Sequence, residues 1–190
     1  YRADPPAAIK ILNVVRARMQ PELVRRFELE AKAIARLESP HVVRLYDAGT
    51  TGDGHLYITM ELLRGQTLDD LIRARRKLGP ERSADIVFQA ASALGEAHDK
   101  WVVHRDVKPH NILIDTQGRA RLVDFGLAKL LDRDSLSVTG EFAGSLSYAS
   151  PEQISGSRDL DARTDVWSLG VVMYEALHGL KPFDAESQEG

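Results

Sequence analysis

The sequence predicts an α+β fold in two parts, a strand-rich N-terminal part and a mainly helical C-terminal part. Three observations support this prediction. Short apolar runs flank a single helix-like segment within the first 61 residues. Two helical segments follow a break at Gly65, and Gly79 and Pro80 separate them. A further apolar segment of helical length ends at Gly179, and glycine commonly terminates helices.

The N-terminal part is predicted to contain one helix and three strands. The apolar run 7–12 is typical of a short buried strand. A helix is predicted over 21–37, because it opens with a proline and because Phe27, Ala31 and Ile34 recur at helical spacing. Two more strands, joined by a Gly-Asp-Gly turn, are predicted at 42–48 and 55–61.

The C-terminal part is predicted to contain three helices, three short strands and one long loop. Thr67 is a good N-cap, and Asp70 follows it at the spacing of a capping box. The predicted helices cover 67–77, 80–100 and 164–178. The predicted strands cover 101–103, 112–115 and 120–123, and a loop rich in Gly, Ser and Thr covers 124–152.

Composition and charge exclude several classes of function. The net charge of −3 gives no reason to expect nucleic acid or an anionic membrane as a partner. The absence of cysteine excludes a disulfide framework, a thiolate metal site and a cysteine nucleophile. No apolar run reaches the ~20 residues that a membrane span needs. Because the N-terminus has neither a signal-peptide pattern nor an initiator methionine, we expect the chain to begin within a longer gene.

The densest group of chemically useful side chains is the segment 104–111, His-Arg-Asp-Val-Lys-Pro-His-Asn. It places a carboxylate, cations and an amide in one loop between two strand-like runs. Phosphoryl transfer needs such a set: a group that orients the attacking hydroxyl, a positive charge beside the moving phosphoryl group, and a metal ligand. Asp124, 13 residues after Asn111, adds a carboxylate of the kind that holds Mg²⁺.

These motifs resemble those of the eukaryotic-type (Hanks-type) serine/threonine protein kinases. The Ser-Pro-Glu-Gln string at 150–153 and the Asp-Pro-Pro turn at 4–6 resemble bacterial members of that family. The segment 104–111 is similar to the family's catalytic loop, and Asp124-Phe125-Gly126 is similar to its metal-binding triplet. Three further segments resemble family motifs in the same order along the chain: Ala-Ala-Ile-Lys at 7–10, Ser-Pro-Glu at 150–152 and Asp-Val-Trp-Ser-Leu-Gly at 165–170.

The resemblance implies a two-lobed protein-kinase fold. It places a partial, β-rich N-lobe with one long helix at 1–61, a hinge at 62–66 and a partial helical C-lobe at 67–190. The family's Gly-rich loop and its last C-lobe helices are not found in the sequence. We therefore expect a domain truncated at both ends, a chain that is unstable and poorly active on its own, and a buried Glu152 without its usual arginine partner.

The resemblance also implies catalytic roles. Asp106 would act as the base or orient the hydroxyl, and Lys108 would lie beside the γ-phosphate. Lys108 is typical of serine/threonine kinases rather than tyrosine kinases. Asn111 and Asp124 would bind Mg²⁺. Lys10 would contact the α- and β-phosphates of ATP and form an ion pair with a glutamate of the helix at 21–37.

Glu30 is the predicted partner of Lys10. Phe27, Glu30 and Ile34 share one helix face by the three-and-four spacing. Glu28 lies two residues away, or roughly 200° around the helix axis, so it points away if Glu30 points in. Glu30 also precedes an alanine, as in the family's common Glu-Ala pair.

The adenine of ATP is expected at the hinge. By resemblance, the Glu61 carbonyl and the Leu63 amide would bind the base, Ala8 and Leu113 would enclose its two faces, and Met60 corresponds to the gatekeeper.

Regulation is expected to involve the loop at 124–152. Arg105, directly before Asp106, resembles kinases that are activated when a phosphate orders this loop. A stack of side chains would assemble on Asp165 in the active state: Ile34, Leu45, His104 and Phe125. The candidate phosphorylation sites are Thr139, Ser137 and Ser135.

The predicted function is ATP-dependent phosphorylation of serine and threonine hydroxyls on proteins. ATP and Mg²⁺ are the expected cofactors, and self-association would allow trans-autophosphorylation. The chain is expected to be cytoplasmic, with no nucleic acid partner and no membrane contact by this segment. The resemblance to bacterial members leaves open a membrane anchor of the parent chain outside this segment. The main alternative is a pseudokinase scaffold, which would require a defective Gly-rich loop. A small-molecule phosphotransferase is a third interpretation, although that class usually has a different catalytic loop and lacks the Ser-Pro-Glu segment.

Overall fold

The computed structural model describes residues 6–12, 21–125, 146–157 and 159–183. It confirms the α+β prediction, with two separate three-stranded antiparallel sheets. The candidate phosphorylation sites at 135, 137 and 139 lie outside the described residues, as does Gly126.

The first sheet lies in the N-terminal part. Its strands are β1 (Ala7–Leu12), β2 (Leu45–Thr50) and β3 (Leu56–Glu61), with β3 in the centre. Helix α1 (Pro21–Ile34) buries Phe27, Ala31 and Ile34, the residues that the helical spacing selected. Strand β2 begins three residues later than predicted, because Val42 forms a parallel bridge with Leu122 of the second sheet instead.

The second sheet lies against the helical part of the chain. It is formed by β4 (Gly65–Thr67), β5 (Ile112–Asp115) and β6 (Ala120–Leu122), in that spatial order. The predicted strand at 101–103 is wrong. These residues form the exit from a helix, since the Trp101 and Val102 amides donate to helix carbonyls of His98 and Ala97.

The predicted helices are present, and none of their ends is shifted by more than three residues. Helix α2 (Leu68–Arg75) starts with the capping box of Thr67 and Asp70, and α3 (Pro80–Asp99) starts with proline in its first turn. A short helix, α4 (Pro151–Ile154), begins within the predicted loop because Ser150 caps it together with Gln153. Helix α5 (Ala162–His178) is capped by Asp161 and ends at Gly179.

Glu152 of α4 is half-buried rather than buried, which corrects the expectation from the sequence. Its partial exposure removes most of the cost that a buried carboxylate without a cation would carry.

Gly179 fixes how the end of α5 meets the end of α2. Its φ of 75° lies in the left-handed region, and an added Cβ would lie 1.9 Å from the Arg76 carbonyl oxygen. The Leu78 amide also donates to the Ala176 carbonyl at 2.7 Å. Only glycine therefore allows the two backbones to approach so closely.

The segment 38–44 joins the first sheet to the second. The Val43 amide donates to the Leu122 carbonyl at 2.9 Å, and the Leu122 amide donates to the His41 carbonyl at 2.7 Å. From the other side, the Glu96 carboxylate of α3 accepts the Glu38 and Ser39 amides at 2.8 and 2.6 Å. These bonds attach the segment that precedes β2 both to the second sheet and to α3.

Candidate active site

The loop between α3 and β5 brings Asp106, Lys108 and Asn111 together. Val107 is buried, and Pro109–Asn111 form a 3₁₀ turn. The buried valine and the turn fix the backbone that carries the three polar side chains. Asn111 Nδ2 donates to Asp106 Oδ2 at 2.9 Å and to the Asp106 carbonyl at 2.8 Å. Lys108 Nζ lies 3.0 Å from Asp106 Oδ2. One carboxylate thus contacts an amide and an ammonium group at the same time.

Asp165, near the start of α5, supports this loop from below. The side chain is fully buried and accepts three hydrogen bonds of 2.8 Å, from the His104 amide, the Arg105 amide and His98 Nε2. Arg105 has a φ of 64°, a conformation that costs non-glycine residues of order 1 kcal/mol or more. The two amide bonds to Asp165 hold the backbone in that conformation.

His104 connects the loop to the end of β6. Burial lowers the pKa of His104, so its imidazole is neutral at pH 7. Its Nε2 donates to the Val123 carbonyl at 3.1 Å, and its Nδ1 accepts the Asp106 amide at 3.3 Å. The ring lies 4.5 Å from the ring of Phe125, centroid to centroid. The loop and the segment at 123–125 therefore hold each other in place.

Asp124 is positioned beside Asn111. Its φ of 56° is left-handed, which aspartate tolerates better than most residues. The Val123 amide donates to the Asn111 carbonyl at 2.9 Å, and Lys10 Nζ lies 2.8 Å from Asp124 Oδ1. The predicted lysine and the predicted metal-binding carboxylate thus contact each other across the two parts of the chain.

Asn111 and Asp124 suit a Mg²⁺ ion. Because Asn111 Nδ2 is turned toward Asp106, its Oδ1 points away from that carboxylate. An amide oxygen and a carboxylate are hard ligands, and Mg²⁺ usually takes only one or two carboxylates and keeps water or phosphate at its other positions. Within the described ranges, no three His, Cys, Asp or Glu side chains gather as a metal-binding group.

The predicted ion pair between Lys10 and Glu30 is not formed in this structure. Lys10 contacts Asp124 instead. Glu30 Oε1 lies 3.7 Å from Arg105 Nη1 and 3.7 Å from Arg26 Nε. The physical reason is that other opposite charges lie nearer to each partner, and all of these side chains are partly exposed, so little energy separates the alternatives.

The predicted adenine-binding residues lie on both sheets. Ala8 and Met60 are opposite each other on β1 and β3, and Ala7 is opposite Glu61. Leu113 lies on β5 between Thr67 and Arg121. Leu63 lies in the connection to β4 and, like Ala8, Met60 and Leu113, is half-buried.

Three contacts near the site were missed from the sequence. His98 forms a hydrogen bond with Asp165. Its position four residues after Leu94 places it on the buried face of α3, and this spacing could have predicted a buried partner for it. Arg121 Nη2 donates to Glu61 Oε2 at 2.6 Å and to the Val42 carbonyl at 3.0 Å. An arginine within an otherwise apolar buried strand could have predicted that it needs such acceptors. Gln153 Nε2 donates to the Arg105 carbonyl at 2.9 Å, for which the sequence holds no signal.

The chain matches the protein kinase domain family over residues 2–190, and it belongs to that family. It is 41% identical over 184 residues to serine/threonine-protein kinase PrkC of Bacillus subtilis, an alignment that covers 97% of this chain and 28% of PrkC. It is 39% identical over 186 residues to PknL of Mycobacterium tuberculosis, covering 98% of this chain and 46% of PknL. It is 40% identical over 190 residues to PknB of Mycobacterium leprae, covering 98% of this chain and 30% of PknB.

The chain therefore spans less than half the length of these relatives, each of which is a serine/threonine-protein kinase by name. In the part of the chain that the structure describes, no helix has both the length and the apolar character needed to cross a membrane.

Proposed function

We propose that this protein phosphorylates serine and threonine hydroxyls of proteins, with ATP as the phosphoryl donor. The observation that carries the proposal is the cluster of Asp106, Lys108 and Asn111, which lies beside Asp124. The buried Asp165 holds the loop that carries this cluster. Family membership supports it, because the relatives that match nearly the whole chain are serine/threonine-protein kinases.

The transfer is an in-line displacement at the γ-phosphorus. The substrate hydroxyl oxygen forms a bond to phosphorus while the bond between phosphorus and the β,γ-bridging oxygen breaks, and ADP leaves. The carboxylate of Asp106 orients the hydroxyl and takes its proton. Lys108, 3.0 Å from that carboxylate, offsets the negative charge on the transferred group.

The nucleotide would be bound from both parts of the chain. Mg²⁺, held by Asn111 and Asp124, would neutralise charge between the phosphates. Lys10 contacts Asp124 and would reach the α- and β-phosphates from there. The adenine would bind at Glu61 and Leu63, between Ala8 and Leu113 and next to Met60. In this proposal, 1–61 and 67–190 form two lobes that are joined by a hinge at 62–66.

Phosphorylation of the loop at 124–152 would regulate the enzyme, with Thr139, Ser137 and Ser135 as acceptors and self-association as the route. A cytoplasmic location is part of the same proposal. No described residue favours the pseudokinase alternative, since Lys10, Asp106, Asn111 and Asp124 are all present at the site.

The test is transfer of labelled γ-phosphate from Mg-ATP by the full-length protein, to itself and to a generic Ser/Thr protein substrate. Asp106→Asn should reduce transfer by about 10²- to 10⁴-fold, the usual contribution of a catalytic base. Asp99→Asn, an exposed aspartate at the end of α3, is the matched control and should retain activity. A folded wild-type protein that binds ATP and transfers no phosphate would overturn the proposal.

A further inference from the structure

A cavity of about 1030 Å³ runs from the candidate active site along the C-terminal part of the chain. Lys108, Asn111 and Asp124 line the end at the reaction site. Arg76, just after α2, and Lys181, just after α5, line it where the ends of those two helices meet. We call this second region the cationic end.

The carboxylates of the cavity already have partners. Asp69 Oδ2 lies 2.9 Å from Arg73 Nε and 3.3 Å from His110 Nε2. Asp124 contacts Lys10. Glu175 accepts a hydrogen bond of 2.6 Å from the Tyr148 hydroxyl, and burial raises the pKa of Glu175, an effect that Tyr148 and Lys181 partly offset. Asp69 and Glu175 are therefore poorly placed to attract a cation from the substrate, while Asp124 belongs to the proposed Mg²⁺ site.

The two residues of the cationic end differ from the other cations of the cavity. Among the described residues, the ion pairs at the cavity involve Arg73, His110, Lys108 and Lys10, and none involves Arg76 or Lys181. Lys181 acts on Glu175 through its charge without forming an ion pair with it. Lys181 Nζ lies 5.5 Å from the centroid of the Tyr148 ring, which holds the ammonium group at the wall.

The backbone at the cationic end is well fixed. The Arg76 carbonyl packs against Gly179, where no side chain fits, and the Leu78 amide donates to the Ala176 carbonyl. Arg76 and the turn at 179–181 are thus held side by side. Two cations on a fixed wall form a binding surface for an anion that needs no rearrangement of the backbone.

We propose that the cationic end binds an anionic side chain of the protein substrate, a carboxylate or a phosphate, close to the hydroxyl that is phosphorylated. The inference rests on the proposed kinase function and adds a substrate class to it. The cationic end and the reaction site line the same cavity, and an extended chain rises about 3.3 Å per residue. The anionic residue would therefore lie only a few positions from the accepting serine or threonine.

The experiment uses the full-length protein and peptides with a single phosphoacceptor. Each peptide carries aspartate, phosphoserine, asparagine or lysine at one of the three positions on either side. We measure the affinity of each fluorescently labelled peptide by anisotropy, and kcat/KM for its phosphorylation. The anionic peptides should bind about fivefold more tightly than the asparagine peptide at one position, as expected for a partly exposed charge pair. The difference should lie in KM rather than kcat.

The variant R76E/K181E should reverse this selectivity, so that the lysine peptide binds more tightly than the aspartate peptide. R76Q/K181Q should abolish it without introducing new charge. R75E is the matched control, because Arg75 is an exposed arginine of the same helix end that does not line the cavity, and it should keep the wild-type ratio.

The two arms separate the sources of the anion. Tighter binding of the phosphoserine peptide than of the aspartate peptide would assign a phosphorylated substrate, and equal binding would assign acidic residues. Equal affinity for the anionic and asparagine peptides, or a ratio unchanged in R76E/K181E, would overturn the inference. Because affinity is measured without catalysis, these results remain distinct from a failure of the proposed function, which would show as bound peptides that are never phosphorylated.

Discussion

The loop at 104–111 and the charged set of Lys10, Glu30 and Asp124 lie on opposite sides of the candidate active site, and they are held in different ways. The loop is fixed by buried groups, since Asp165 and His104 are fully enclosed. The charged set is 34 to 40% exposed, and its ion pairs are not those that the motifs imply. Burial makes a polar contact specific, because an unsatisfied buried group is costly, whereas exposed pairs exchange partners at little cost.

The same difference explains how much could be predicted from the sequence. The loop residues are consecutive and lie between well-patterned elements, so Asp106, Lys108 and Asn111 were expected together, and the structure brings them together. The ion pair of Lys10 and Glu30 depends on how α1 lies relative to β1, which no local pattern specifies.

The fold shows the same division between local and distant signals. Caps and periodicity predicted α2, α3 and α5 closely, because Thr67, Pro80 and Gly179 act within one turn of the helix. The strand predicted at 101–103 failed because an apolar run alone cannot distinguish a strand from the exit of a helix. The delayed start of β2 depends on a bridge to Leu122, which is distant in sequence.

The largest expected effect is at Asp165. The Asp165 carboxylate accepts three buried hydrogen bonds through its two oxygens. Asp165→Asn replaces one of these oxygens with an NH₂ group, which donates hydrogen bonds and cannot accept them. We expect a loss of about 3 kcal/mol or more in the free energy of unfolding, measured by chemical denaturation of the full-length protein. Asp99→Asn is the control and should cost less than about 0.5 kcal/mol. If both variants reduced the free energy of unfolding by similar amounts, the proposed difference between buried and exposed groups would be contradicted.

A smaller effect is expected at Tyr148. Tyr148→Phe leaves the Glu175 carboxylate without its hydroxyl donor and should cost about 2 kcal/mol at pH 7. Tyr174→Phe, at an exposed tyrosine of α5, is the control and should be nearly neutral.

The cost of Tyr148→Phe should depend on pH. Burial raises the pKa of Glu175 in the folded state, so the group favours folding most below its ordinary pKa of about 4.5, and that contribution is lost as pH rises through the folded value. Removing the hydroxyl raises the folded pKa further. The variant should therefore lose more stability relative to wild type at pH 8 than at pH 4, measured by melting temperature. A constant difference would show that the Tyr148 hydroxyl does not stabilise the charged form of Glu175.

The ion pair between Glu61 and Arg121 is less buried than Asp165 and more buried than Glu30, so its removal tests an intermediate case. Its carboxylate bonds the buried Arg121, which also bonds the Val42 carbonyl. Glu61→Gln should cost about 1 kcal/mol, because Arg121 keeps one of its two acceptors. Glu81→Gln, an exposed glutamate in the first turn of α3, is the control. A cost as large as that of Asp165→Asn would show that partial exposure does not weaken the bond.

The smallest effect is expected at Glu30. Its contacts with Arg26 and Arg105 are both 3.7 Å long and partly exposed. Glu30→Gln should change the free energy of unfolding by less than about 1 kcal/mol in the absence of nucleotide, with Glu28→Gln on the same helix as the control. A larger change would mean that this exposed pair already fixes the position of α1.

Hydrogen exchange of the His104 and Arg105 amides tests most directly whether buried groups alone hold the loop at 104–111. Both amides donate to Asp165, so they should be protected in the wild-type protein and should lose that protection in Asp165→Asn. In Glu30→Gln they should exchange as slowly as in wild type. Fast exchange of these amides in Glu30→Gln would contradict the central role of the buried groups, because it would show that the loop depends on the exposed ion pairs.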